Sequence, residues 1–319
     1  MFELYLTLIL LALIIVTSFG TDIALFLPWR HLQQSNSNVV SSCSTTTNEG
    51  IVFQDNFDRQ GILEEANPIS NSSDQNWWVN SGGYLYLDNG TASTIQGRLP
   101  QNDTFRIGYA LKETSDTDDG YRPQNIFRLV NRNIWAGNYT AEVYFKYSKY
   151  NNMTTTTTIG KNLGPDNGVS LMINYQNGDN LYYVGLRADG FAGIKKKIDG
   201  EYSELQNPVK VFPGVYKQYD NLIPQDKWIG LRAVVEHRQN NSSIIMPGKD
   251  QVYIALYIDE KGDSSSSSSS SWKYVTSYLD QGETKTTIFK QGHTGIRTDF
   301  IDAQFKDFKV IPSQNTACI

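Results

Sequence analysis

Between Tyr139 and Ile198, apolar and polar positions alternate in four successive segments, YTAEVYFKYS, GVSLMINY, LYYVGLRA and FAGIKKKI. In the first, Tyr139, Ala141, Val143, Phe145 and Tyr147 share one side, and Thr140, Glu142, Tyr144, Lys146 and Ser148 the other. That period of two is the mark of a half-buried strand. Turn-forming runs separate the segments: Gly164 to Gly168, Asn177 to Asn180, and Asp189 with Gly190. The pattern predicts an antiparallel meander of consecutive strands, with one face in a core and a polar, aromatic and charged face outside it.

Similar alternation recurs in YLYLD, NIFRLV, KWIGLRAVVE, QVYIALYID, WKYVTSYLD, TGIRTDF and AQFKDFKVI, and no comparable stretch keeps a helical period. The expected fold is all-β, a two-sheet antiparallel β-sandwich preceded by an N-terminal apolar helix. That helix is residues 4–19, LYLTLILLALIIVTSF, with Ser18 and Gly20 offering a small-x-small cleavage site. A second apolar patch, Ile23 to Trp29, keeps an uncleaved membrane anchor open beside a cleaved signal. Both alternatives place the rest of the chain outside the cytoplasm, secreted or at the cell surface, with membrane contact only through an uncleaved N-terminal segment.

The division that follows is a signal or anchor over 1–20, a polar linker over 21–49, the sandwich domain over 50–312 and a tail over 313–319. The linker has too few large apolar residues to order itself. The tracts Thr154 to Thr158 and Ser264 to Ser271 fit exposed insertions, where extra length costs little closure entropy.

Composition narrows the function classes. A net charge of -5 with no basic stripe argues against a nucleic-acid binder, and the one basic run, Lys195 to Lys197, is expected at a solvated strand end. Cys43 and Cys318 stand near the two ends of the chain, without zinc-ligand spacing, and one disulfide closing the termini is expected in an oxidising compartment. Glycosylation sequons occur at Asn71, Asn89, Asn102, Asn152, Asn240 and Asn241, and at Asn138, which opens a strand and suits a glycan least.

The folded region opens with Asp55, Asn56, Phe57 and Asp58, continues through Trp77, Trp78 and Val79 into GGYLYLDNG, and closes on Ala303, Phe305, Asp307, Phe308 and Val310. Over about residues 51–312 this arrangement resembles the concanavalin A-like lectin/glucanase superfamily, in particular laminin G-like jelly rolls and the 3-keto-disaccharide hydrolase domain family. The resemblance implies a jelly roll that takes a glycan across its concave face or at the rim. It also implies a structural Ca2+ near the first and last strands, for which Asp55, Asp58 and Asp307 are the matching oxygen ligands. The paired-carboxylate signature E-x-D-x-x-E of the family's glucanases is absent.

On the non-core face, Tyr144, Tyr183, Arg187, Lys195, Arg232 and Tyr257 are expected to form a glycan-binding surface. Aromatic rings stack on sugar faces, and Arg and Lys form directional hydrogen bonds to hydroxyls. Tyr183 and Arg187 are expected to face solvent. Glu142 and Glu236 are the catalytic candidates, and would act as an acid and base only at a separation of about 5 to 10 Å. His31, His237 and His293 have no metal spacing, and the acidic group Asp116, Asp118 and Asp119 lacks an EF-hand pattern. Three functions stay open at this point: an exported glycan-binding module without catalysis, a glycoside hydrolase or polysaccharide lyase with a divergent site, and a structural or adhesive surface protein.

Overall fold

The computed structural model describes residues 53–81, 83–94, 104, 126–147, 164–217, 221–239, 250–262, 271–282 and 289–313. The expected N-terminal helix, the linker, Cys43, Cys318, the sequons at Asn102, Asn152, Asn240 and Asn241, His31 and the group around Asp118 lie outside them. The strands in chain order are β1 Phe53–Asp55, β2 Gln60–Glu64, β3 Trp77–Ser81, β4 Tyr84–Asp88, β5 Ala92–Thr94, β6 Phe127–Asn131, β7 Trp135–Ala136, β8 Tyr139–Tyr147 and β9 Gly168–Asn177. They continue with β10 Asn180–Arg187, β11 Phe191–Ile198, β12 Glu201–Glu204, β13 Val209–Lys210, β14 Trp228–Gln239, β15 Asp250–Asp259, β16 Lys273–Asp280, β17 Gln291–Thr298 and β18 Ala303–Pro312.

These strands form two nine-stranded sheets. The first runs β16-β15-β14-β8-β18-β5-β4-β2 with β1 on β18, and the second runs β12-β11-β10-β9-β17-β6-β3 with β13 on β11 and β7 on β17. All the ladders are antiparallel. Inward residues of both sheets meet in one buried cluster, with Val143, Phe145, Leu231 and Leu256 from the first sheet and Leu171, Ile173, Val184 and Ile194 from the second. Each such aliphatic or aromatic side chain contributes about 1.5–3 kcal/mol when fully buried.

The expected four-strand meander is corrected here. β9, β10 and β11 do pair in order, but β8 lies in the other sheet between β14 and β18. Period two tells which side chains share a face, not which sheet the strand joins. The outer face of β8 is also covered: Glu142 and Tyr144 are buried although they point away from the core.

The opening and closing motifs meet, since β1 pairs with β18 and Asp55 stands opposite Phe308. Phe57, Trp77 and Phe308 pack beside this pair, with the Trp77 ring 5.6 Å from Phe57 and 4.8 Å from Phe308. The Asp55 carboxylate accepts the Trp77 indole N–H at 2.6 Å, the Phe57 amide at 2.7 Å and the Arg59 guanidinium at 2.8 and 3.0 Å.

The lysine run is not a solvated strand end. Alternation along β11 sends Lys196 into the sandwich, where it pairs with Asp280, while Lys195 and Lys197 stay outside on Glu204 and Asp179.

Candidate functional site

On the outer face of the second sheet, strand register sets two cross-strand rows. Arg297, Ser170, Gly185 and Gly193 are successive partners across β17, β9, β10 and β11. Met172, Tyr183, Lys195 and Glu204 form the next row across β9, β10, β11 and β12. The two glycines remove side chains from the first row, which leaves a depression in an otherwise covered face. A Cβ on Gly185 would lie 2.2 Å from the Val169 carbonyl oxygen, so that position requires glycine. At Gly193 a Cβ would make ordinary van der Waals contact with Pro208 at 3.7 Å and Glu204 at 3.8 Å, so a side chain fits there without a clash at its base.

The resulting cavity is about 350 Å³ and is lined among others by Asp166, Ser170, Tyr183, Arg187, Lys195, Tyr202, Arg297 and Asp299. Its volume lies at the small end of ligand sites. Tyr202, 50% exposed, stacks on Tyr183 with ring centroids 5.9 Å apart and planes 26° from parallel. Below them Arg297 donates to the Tyr183 hydroxyl at 2.5 Å and to the Tyr202 hydroxyl at 3.0 Å.

Every cation in the cavity has a carboxylate. Arg297 grips Asp299, with Nε 2.8 and 3.0 Å from its two oxygens and Nη2 2.8 Å from Oδ1. Arg187 holds Asp189 through Nε at 3.2 Å and Nη2 at 2.7 Å, and also pairs with Asp166 and, at 3.5 Å, with Glu204. Lys195 lies 3.0 Å from Glu204. Burial works against the Arg297 charge, but Asp299 and the two phenols outweigh it and hold the guanidinium above its ordinary range. Burial likewise pushes the Tyr183 phenol up, so it stays neutral. With three cations set against four carboxylates, the cavity offers a dense array of hydrogen-bond donors and acceptors, and among the described residues lining it no cation is left over.

The structure brings Tyr183, Arg187 and Lys195 together here and places the other expected binding residues on the outer face of the first sheet. Tyr183 is 5% exposed and Arg187 is half-buried, so neither is the solvent-facing residue that the sequence suggested; the charged and aromatic face carries its own packing. On the opposite face of the sandwich, Arg232 bonds Glu142 at 2.7 Å and lies 4.1 Å from the Trp272 ring centroid. Tyr144 donates to Asp259 at 3.1 Å, and Tyr257 meets Tyr274 edge-on at 5.6 Å.

The two catalytic candidates are not brought together. Glu142 faces Arg232 across the ladder, and Glu236 lies four residues further along β14, about 13 Å at the usual rise per residue. Glu236 is taken by Arg238 at 2.6 Å.

Of the expected calcium ligands, Asp58 is exposed and the other two have other engagements or surroundings. Both Asp55 oxygens are engaged by nitrogen donors, and Asp307 occupies an irregularity in β18 with φ 51°. Among the described residues no group of three or more His, Cys, Asp or Glu is placed to hold a metal ion. Of the sequons described, Asn89 is an exposed turn residue, the Asn71 amide donates to the Asn67 carbonyl, and Asn138 accepts the His237 amide.

Sequence reasoning missed Tyr202, Arg297 and Asp299. TGIRTDF was legible as a strand, and its alternation puts Arg297 opposite the core residue Ile296, but nothing in the sequence announces that β17 lies beside β9. Tyr202 belongs to a four-residue edge strand too short to show a period.

The class defined is a two-sheet antiparallel sandwich with a small polar cavity on one outer face. No family model matches the chain, and no curated protein does. Among solved structures, it is similar to the carbohydrate-binding module CBM66 from Bacillus subtilis at 14% identity and TM-score 0.38, over 60% of this chain and 84% of that one. It is similar to the lumenal domain of VIP36 in its Ca2+/Man-bound form at 10% identity and TM-score 0.42, over 84% of this chain and 94% of that one. It is also similar to a mutant of the GH43 protein BlXynB from Bacillus licheniformis at 13% identity and TM-score 0.42, covering 82% of this chain and only 39% of that one.

Proposed function

We propose that the protein is an exported carbohydrate-binding module that takes a neutral saccharide unit in the cavity between Tyr202, Lys195, Arg187 and Arg297, without catalysis. The observation that carries this is the combination of an exposed aromatic wall with cations already compensated by carboxylates. A sugar ring stacks its C–H face on an aromatic side chain, and its hydroxyls both donate and accept, which suits fixed Arg and Asp pairs better than a charged ligand does. An acidic ligand would have to displace carboxylates from their guanidinium and ammonium partners.

The reading without catalysis is supported by Asp299. Burial pushes the Asp299 carboxyl above its ordinary range against the pull of Arg297, but Arg297 bonds both of its oxygens, which commits it to an ion pair rather than to a glycosidic oxygen. Action outside the cell accords with the apolar N-terminal run and the sequons.

The test is a glycan array with the exported chain, followed by calorimetry on any neutral oligosaccharide retained and product analysis after long incubation. Binding without released sugars is expected. Reducing ends or unsaturated products would move the function to an enzyme, and silence on all neutral glycans would sink the assignment.

A further inference from the structure

We propose that the outer face of the first sheet holds a second site, for an acidic saccharide, built on Lys146, Lys306 and Trp228. The Lys146 ammonium lies 5.1 Å and the Lys306 ammonium 4.7 Å from the centroid of the Trp228 ring. Neither has a carboxylate within ion-pair distance among the described residues. Arg187, Lys195, Lys196, Arg232 and Arg297 all have one.

The convergence is set by register. Trp228 stands opposite Lys146, and Lys306 stands opposite Tyr144, two residues along β8 from Lys146. Both ammoniums are held about 5 Å from one ring centre and so lie within about 10 Å of each other; like charges gathered round one indole repel, and the ring's quadrupole is a weak counter-charge for both. An anionic group bridging the two ammoniums relieves that repulsion. The chain as a whole is negative, at -5, so two ammoniums at one ring with no carboxylate partner among the described residues do not follow from composition.

The neighbourhood favours a saccharide as the carrier of the anion. Trp272 packs down over Gly230, two residues along β14 from Trp228, where a Cβ would meet its ring at 2.7 Å. A partly open indole next to the cation pair offers a face for the apolar side of a sugar ring whose charged substituent meets the ammoniums. Uronate carboxylate and ester sulfate share this chemistry. The site is on the side of the sandwich opposite the neutral-sugar cavity and does not depend on it.

The test uses the full chain with oligogalacturonate and carrageenan fragments as carboxylate and sulfate probes, fully methyl-esterified oligogalacturonate as the neutral control, and polyphosphate as a polyanion without sugar rings. Expected is binding of at least one acidic oligosaccharide that weakens with added salt. It should fall at least tenfold in the Lys146→Gln/Lys306→Gln variant and remain in Gly193→Leu, which fills the opposite cavity. The Gln side chains keep most of the aliphatic stem, and an unchanged melting temperature confirms the fold. The proposal is overturned if neither acidic probe binds, if polyphosphate or the esterified control binds as tightly, if the double variant binds unchanged, or if Gly193→Leu abolishes the binding.

Discussion

The Lys196 ammonium lies 2.5 Å from the Asp280 carboxylate inside the sandwich, and each side chain is 1% exposed. The Tyr182 hydroxyl donates to the same Asp280 oxygen at 2.7 Å, and the Gly282 amide donates to the other at 2.8 Å. The carboxylate is thus satisfied on both oxygens, as a buried charge must be. Removing one partner leaves the other charged and unpaired at a cost of about 3–5 kcal/mol, whereas replacing both by apolar groups is close to neutral. Asp280→Asn and Lys196→Met should each lower the denaturation midpoint strongly, and Lys196→Met/Asp280→Asn, which keeps an acceptor oxygen for Tyr182 or Gly282, should recover part of the loss. Single variants within about 1 kcal/mol of the parent in urea unfolding would show that the pair is not ionised.

Tyr202 and Tyr183 touch, yet their truncation should have opposite consequences. Tyr202 is half exposed and belongs to an edge strand, so Tyr202→Ala should cost little stability while weakening binding of a neutral sugar by roughly tenfold, as the loss of one stacking platform would. Tyr183 is buried against Met172, Leu181 and Tyr175 and accepts the Arg297 hydrogen bond. Tyr183→Ala should therefore destabilise the fold by about 3 kcal/mol or more. Thermal scans and calorimetry on both variants separate the two roles; a stable Tyr183→Ala chain would contradict the packing described.

Gly193→Leu tests the cavity without removing a polar group. The added Cβ finds its nearest neighbours at 3.7 and 3.8 Å, and replacing a strand glycine reduces the entropy lost on folding. The melting temperature should hold or rise, and binding in the cavity should disappear. Retained binding at parental affinity would move the neutral-sugar site elsewhere.

Most strands were legible because period two survives in a single sequence, from Tyr139 to Tyr147 and from Trp228 to Val235. Their assembly was not. The same alternation would suit β8 in either sheet, and only contacts with β14 and β18, remote in sequence, decide it. For this reason the alternation alone groups Glu142, Tyr144 and Arg232 with Tyr183 and Lys195, which lie on the far side of the core. The cavity was half legible for a related reason. Tyr183, Arg187 and Lys195 come from neighbouring strands in sequence, whereas Arg297 and Asp299 arrive from β17 and the bend after it, about a hundred residues later.

Asp55 offers a test of the structural role against the metal role. Its oxygens hold Arg59, the Trp77 indole and the Phe57 amide, which ties β1 to β3. Asp55→Ala leaves a buried indole N–H and a guanidinium short of acceptors, and should cost about 2–3 kcal/mol. Chelator should leave the melting temperature of the parent unchanged. A large drop on adding EDTA, restored by Ca2+, would return calcium to this end of the sandwich.

His237 gives the fold a pH dependence whose sign is fixed. Burial lowers its ring from 6.5 to about 4, with Asp250 acting weakly the other way. The neutral ring accepts from the Asn174 amide nitrogen at 3.3 Å through Nε2, and that amide also donates to the Phe289 carbonyl at 2.6 Å. The Asn174 orientation is fixed because its Oδ1 accepts the Tyr139 hydroxyl at 2.9 Å. Protonation would turn Nε2 into a second donor facing a donor. Between pH 6.5 and about 4 the unfolded chain binds the extra proton, so this contribution is complete above pH 6.5 and is lost as pH falls toward about 4. The half-buried ring limits the effect to the order of 1–2 kcal/mol. His293, also lowered chiefly by burial, acts in the same direction. His237→Leu should flatten the fall in melting temperature across this window. An identical pH profile in the variant would assign the dependence to other groups.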